Sequence, residues 1–246
     1  MEMTLKPSAN PPLRRPFEDE VRRDVVCPHC SLDQSVCGLA TWCADYGADI
    51  FLSHVEAELD VVRAMPNDVP RRRSVLGRRI AAKDFENCLE DAVSIFEAVL
   101  KAILRRYLLA SSNSEDESQR EVKKVGAAFQ NVRRAEGVIL NIIGVPLFYR
   151  SSSDEVGFLA QVFEKRHPIM HNLGVVDRKY IEKARTAEKE GKEVLVSEQE
   201  IRRALDVSMH VFRALHCRGV CTNVVHFLRH GVLMIFSDAE THETGD

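Results

Sequence analysis

The segment from Phe163 to Asp177 carries Arg166, His167, His171, Asn172 and Asp177 within fifteen positions, the densest polar cluster at the end of an apolar stretch. Cleavage of an RNA phosphodiester needs a base for the 2′-hydroxyl proton, an acid for the departing 5′-oxygen and positive charge on the phosphorane oxygens. Histidine serves either proton-transfer role near neutral pH, and arginine offers a planar pair of donors to the phosphate. That scheme needs no metal. In an ideal helix five residues turn the chain by about 140°, so Arg166 and His171 would not share a face. Pro168 removes a backbone donor and presses on the preceding turn. Either that bend and the helix end near Gly174 bring the pair together, or a second subunit completes the site. Spacing alone also fits a purely structural role, with the histidines at a helix end and Arg166 paired with Asp177.

A second constellation is Cys27-Pro28-His29-Cys30 with Cys37 and Cys43. A C-x-x-C turn presents two thiolates to one tetrahedral ion, and two further thiols could close a structural zinc site. The remaining spacers of six and five residues are not those of the usual paired knuckles, and Cys43 follows Trp42 in an expected helix. Free or buried thiols and redox chemistry therefore stay open beside zinc. Cys217, Cys221, His226 and His230 lie in a largely apolar run, where packing is the commoner fate of such side chains. Cys88 falls on an apolar helix face. Among 246 residues there is no Gly-rich phosphate loop, no G-x-S-x-G and no H-E-x-x-H, which argues against a nucleotide-driven motor or a zinc protease.

Charge supplies the third signal. The chain has 34 Lys and Arg against 37 Asp and Glu, a formal −3, which argues against coating nucleic acid by global positive charge. The distribution is uneven: seven cations lie between Arg63 and Lys83 against one acid, Asp68. Arg71, Arg72, Arg73, Arg78 and Arg79 are the candidates for a phosphate-facing surface, with a solvated linker paired to nearby acids as the alternative.

These residues need a scaffold, and the hydrophobic pattern describes it. With 45% hydrophobic and 29% charged residues, the composition is that of a soluble globular protein. No apolar run approaches the ~20 residues of a membrane span, so the expectation is a cytoplasmic chain with mostly reduced thiols. Residues 1–26 read as an irregular, proline-containing leader, and 27–83 as the Cys cluster, short helices and the basic linker. Residues 84–236 form a helical bundle, and 237–246 an acidic tail. Within the bundle, helical spacing predicts helices over 84–110, 121–143, 153–171 and from 198 onward, with a polar loop at 111–118. Ser152 with Glu155 and Ser197 with Glu200 form capping boxes, and Val194–Val196 is a candidate short strand. The class is mainly α: four or five helices, an N-terminal addition and at most one short strand.

The string Arg166-His167-x-x-x-His171, followed by Asn172-x-Gly174-Val175-Val176-Asp177-x-x-Tyr180, resembles the motif of the HEPN domain family, in its RiboL-PSP-HEPN-like subgroup. Phe129-Gln130-Asn131, about one helix earlier, resembles a signature of that subgroup. The similarity covers roughly residues 84–220. It implies an all-α bundle that dimerises with two motifs facing each other, forming a metal-independent endoribonuclease. Arg166 and His171 would be the catalytic pair, His167 the polar position after the arginine, and Asn172 a substrate-binding neighbour. It also implies RNA as substrate, a homodimer, no catalytic cofactor and a setting among toxins or antiviral defence proteins, with an antitoxin or defence-complex partner. Some members are non-catalytic assembly modules, which is the alternative function.

Overall fold

The computed structural model describes the backbone of residues 23–36, 40–111 and 113–237, and their side chains except those of residues 23 and 218–237. The expected leader and acidic tail lie almost wholly outside the described residues, as does Cys37. The chain divides into two units, Met1–Ala57 and Glu58–Asp246.

In the first unit, β1 (Arg23–Val26) and β2 (Asp33–Val36) form an antiparallel hairpin, with Val26 opposite Asp33 and Arg23 opposite Val36. Val25, Cys27, Cys43 and Ile50 make its small buried core. Of the helical spacing that begins at Leu39, the described residues 40–50 do not become helix. That segment is a tight loop closed by a Trp42–Asp49 bridge, and α1 (Phe51–Ala64) starts after it. The side chain of Asp49 accepts the Phe51 N–H at 2.9 Å, satisfying a donor that an α-helix start leaves orphaned.

The second unit is a helical bundle, the class that the hydrophobic pattern predicts. A 3₁₀ turn at Met65–Asp68 leads into α2 (Val69–Leu76), and α3 runs from Arg78 to Ala110. The expected basic linker is thus helical, broken at Gly77, whose φ of 95° suits a residue without Cβ. After α3 come α4 (Glu115–Val125), a 3₁₀ turn at Ala128–Gln130 and α5 (Val132–Ile143). The expected 121–143 helix is divided at Gly126, and a capping box of Ser114 with Glu117 starts α4 inside the segment expected to be loop. Both foreseen capping boxes form, at Ser152 and at Ser197.

The remaining elements are α6 (Ser153–Glu164), α7 (Arg166–His171), α8 (Arg178–Ala184) and α9 (Glu198–Ser237). Helices α3 and α9 pack along each other, and Phe96 joins them to α6. Its ring meets Phe163 edge-on at 5.2 Å and Phe212 at 5.4 Å, geometry worth about 0.5–1.5 kcal/mol per pair beyond the area buried. No helix among the described residues is long and apolar enough to cross a membrane.

The break between α6 and α7 matters most for the site. Pro168 lacks an N–H, and its ring would meet the carbonyl of Glu164 in a continued helix. The chain therefore kinks at Lys165, before Arg166, and Pro168 sits in the first turn of α7, where an N–H would have no helical partner. Lys165 is 8% exposed. Its Nζ donates to Glu200 Oε1 at 2.6 Å and to the Leu195 carbonyl at 2.7 Å. Val194–Val196 is not a strand: pairing in this region is limited to the isolated Val175–Glu193 bridge, beside which the Val194 N–H donates to Gly174 O at 2.7 Å. Burial pushes the Glu200 carboxyl up, but its bonds to Lys165 and Ser197 outweigh this and hold it below the usual glutamate range.

Replacing Lys165 with Met leaves Glu200 facing an apolar stem. Loss of one partner from a fully buried pair costs 3–5 kcal/mol. The Glu200 side chain keeps 28% exposure, so Lys165→Met is expected to cost about 2 kcal/mol in denaturant unfolding at pH 7. Because the folded state lowers the Glu200 pKa, this stabilisation is complete above the ordinary glutamate value of about 4.3 and is lost on acidification below it. The gap between wild type and variant should close over that range.

Candidate functional site

Arg166, His167 and His171 line one cleft of about 530 Å³, together with Gln130, Asn131, Arg133, Arg134, Glu164, Glu182, Lys183 and Arg185. The expected bend lies upstream of all three motif residues rather than between them. His167 and His171 are then four apart on continuous α7 and share a face, with ring centroids 5.1 Å apart. Arg166 points from a different face and reaches the cleft because α3 and the Ala128–Gln130 turn hold it there.

That hold is specific. Arg166 Nε donates to Glu90 Oε2 at 2.7 Å and Nη1 to Gln130 Oε1 at 2.8 Å. Gln130 in turn donates from Nε2 to Glu97 Oε2 at 2.7 Å, so its amide orientation is fixed at both ends. The arginine side chain keeps 28% exposure, and its Nη2 makes no hydrogen bond to the described residues. The Arg166–Asp177 ion pair that a purely structural role would use does not form. Asp177 instead caps α8, accepting the Tyr180 N–H at 2.7 Å.

The Phe129-Gln130-Asn131 string therefore has a physical role at each position. Phe129 is fully buried, Gln130 orients Arg166, and Asn131 caps α5 by accepting the Arg134 N–H at 3.0 Å while its amide donates to Glu164. Capping at Asn131 starts α5 so that its first turn presents Arg133 and Arg134, both exposed, to the cleft.

The lining carries five cationic side chains, Arg133, Arg134, Arg166, Lys183 and Arg185, against the carboxylates of Glu164 and Glu182. Burial, then the charges of Lys179 and Lys183, hold the His167 imidazole below its ordinary 6.5, and Asp177 opposes this only in part. His167 is thus neutral at pH 7 and able to accept a proton. His171 is exposed.

No protein-family model, curated protein or solved structure matches this chain.

Other residues with expected roles lie elsewhere. Asn172 is not among the residues lining the cleft; its amide donates to Val175 O at 2.7 Å and closes the turn after α7. The arginine strip is largely engaged with acids. Arg71 pairs with Asp68 at 2.6 Å, Arg72 with Asp84 at 3.1 Å, and Arg79 with Glu193 and, at 3.6 Å, Glu86. Arg73, Arg78 and Arg79 line a second cleft of about 840 Å³ that shares no residue with the first. The strip and the motif are thus separate surfaces. Conversely, Glu90, Arg133, Arg134, Lys183 and Arg185 carry no motif signal in the sequence, and Gln130 has only its place in the Phe129-Gln130-Asn131 string.

In the first unit, the sulfurs of Cys27, Cys30 and Cys43 lie within 4.8 Å of one another, and such a cluster can hold a metal ion such as zinc. Cys43 sits in a loop rather than the expected helix. The backbone N–H of Tyr46 directed at its sulfur holds the thiol down to about 7 against the effect of burial. Cys88 is buried and Cys217 exposed, while Cys37 and the side chains of Cys221, His226 and His230 lie outside the description.

The cationic wall of the cleft can be checked by following the histidine ring protons by NMR across pH. His167 should titrate below the ordinary histidine value, and Lys183→Ala or Lys179→Ala should move its midpoint upward. A midpoint at or above the ordinary value, unmoved by either change, would contradict the electrostatics described here.

Proposed function

We propose that this chain is a metal-independent endoribonuclease of HEPN type, acting as a homodimer on single-stranded RNA in the cytoplasm. The observation that carries the reading is the meeting of Arg166, His167 and His171 in one cationic cleft. In the proposed reaction, neutral His167 takes the 2′-hydroxyl proton and the 2′-oxygen bonds to phosphorus. The bond from phosphorus to the 5′-oxygen breaks, and His171 in its imidazolium form protonates the leaving oxygen. Arg166, with Nη2 available, balances the charge on the phosphorane. Arg133, Arg134 and Lys183 hold the flanking phosphates, a role taken over from the expected arginine strip. The Cys27, Cys30 and Cys43 cluster holds a structural zinc. A toxin or antiviral setting, with a partner protein restraining the site, follows from the same resemblance.

A second reading has its own observation. The ion pair of Arg166 with Glu90 accounts for the arginine without RNA, as a non-catalytic module for self-association would require. Cleavage of a labelled single-stranded RNA by purified protein in EDTA separates the two. Under the nuclease reading, His171→Ala, His167→Ala and Arg166→Ala each lose at least about 100-fold in rate, with circular dichroism and self-association unchanged for the histidine variants. Absence of cleavage by wild type, combined with weakened self-association of Arg166→Ala, establishes the assembly reading instead.

A further inference from the structure

The two loops that bring the thiols together have one geometry, repeated after sixteen residues, from Cys27 to Cys43. Cys27 donates its N–H to Leu32 O at 2.9 Å and accepts from Ser31 N at 2.9 Å; Cys43 donates to Ala48 O at 2.8 Å and accepts from Gly47 N at 2.9 Å. The fifth residue is left-handed in both, Ser31 at φ 60° and Gly47 at φ 66°. The closing pairs have the same offset, Val26 with Asp33 and Trp42 with Asp49. Each loop also aims a backbone N–H at its leading sulfur: His29 N lies 3.4 Å from Cys27 Sγ, and Tyr46 N 3.4 Å from Cys43 Sγ.

Superposed by this repeat, Cys30 corresponds to Tyr46. The first loop therefore supplies two sulfurs and the second only one. A zinc ion bound through sulfur at about 2.3 Å in a tetrahedron sets its sulfurs about 3.8 Å apart, and Cys30 Sγ lies 3.5 Å from Cys43 Sγ. Gln34 on β2 accepts the Ala44 N–H at 2.8 Å, which ties the second loop to the hairpin. Val36, the last described residue before Cys37, pairs with Arg23 at the end of the hairpin opposite Cys27. Tyr46 is 65% exposed, and its ring stacks on His29 at 5.8 Å with the planes 19° apart, so the corner it replaces faces solvent.

We propose that Cys27, Cys30 and Cys43 bind zinc through three thiolates, and that the fourth position takes an exchangeable ligand, water or a small thiol in its place. This rests on the zinc assignment above and adds that Cys37 is not needed to hold the ion. Binding displaces the three thiol protons. It gives a site of net charge −1, with one coordination position reachable from solution.

The test uses the full chain with Co²⁺ in place of zinc, since thiolate-to-cobalt charge-transfer intensity rises with each bound sulfur. Wild type and Cys37→Ser should bind one ion each with equal, three-thiolate intensity. Addition of 2-mercaptoethanol should raise that intensity by about one third, and Tyr46→Cys should show the higher value without added thiol. Tyr46→Cys should also release zinc to EDTA at least tenfold more slowly. Tyr46→Phe and His29→Ala should leave the spectrum unchanged. A fall in intensity on Cys37→Ser, or a changed spectrum in Tyr46→Phe or His29→Ala, would overturn the open position while leaving zinc binding intact. Failure of wild type and Tyr46→Cys alike to bind an ion would overturn the zinc assignment itself.

Discussion

The ammonium of Lys165, buried against Glu200 and the Leu195 carbonyl, is the contact on which the cleft depends. Pro168 forbids α6 to continue, and a forbidden helix leaves open where the chain goes next. The Lys165 bond settles this by anchoring the kink to the start of α9 and to the segment before it. Since α9 packs along α3, the same framework sets the position of Glu90 and Glu97, which lie about two turns apart on α3. Arg166 follows immediately after the kink and meets Glu90. The placement of Arg166 is thus decided twice, once by backbone and once by charge.

This arrangement has a functional cost and a functional use. An arginine paired with a carboxylate attracts phosphate less than a solitary one, and holding it there spends binding energy before any ligand arrives. In return the guanidinium is oriented by two acceptors rather than left to sample rotamers, the kind of preorganisation that electrostatic catalysis exploits. The surplus positive charge of the cleft comes from α5, α8 and the residue that follows α8; burial first, and then Lys179 and Lys183 of α8, hold His167 below its ordinary value. A chain of net negative charge can therefore present a locally cationic surface, and it does so away from its most conspicuous run of arginines.

The fold was largely legible in the hydrophobic pattern because long amphipathic stripes, such as the one from Leu89 to Leu104, leave little freedom of interpretation. The capping boxes at Ser152 and Ser197 were legible for a similar reason, being local chemistry at fixed spacing. The path of residues 40–50 was not. Apolar residues at helical spacing there serve a tight loop around Cys43, where hydrogen bonds to sulfur and a left-handed Gly47 override periodicity. The strand expected at Val194–Val196 does not form: pairing with the 174–176 segment stays an isolated bridge, and the Leu195 carbonyl accepts from the distant Lys165, a contact with no local signature. Within the site, Arg166, His167 and His171 could be picked out by residue type. Glu90 and Gln130 could not, because their roles arise only when α3 and the turn before α5 are packed against α7. The arginine strip misled in the opposite sense: its charge density was plain, but Asp84, Glu86 and Glu193, which engage it, are brought there by folding.

In the proposed reaction the 2′-oxygen attacks the adjacent phosphorus within the cleft, without a metal ion. Identification of the product ends formed by wild-type protein from a defined single-stranded RNA in EDTA tests this most directly. The proposed reaction leaves 2′,3′-cyclic phosphate and 5′-hydroxyl ends. Products with 3′-hydroxyl and 5′-phosphate ends, or an RNA left intact under those conditions, would contradict it.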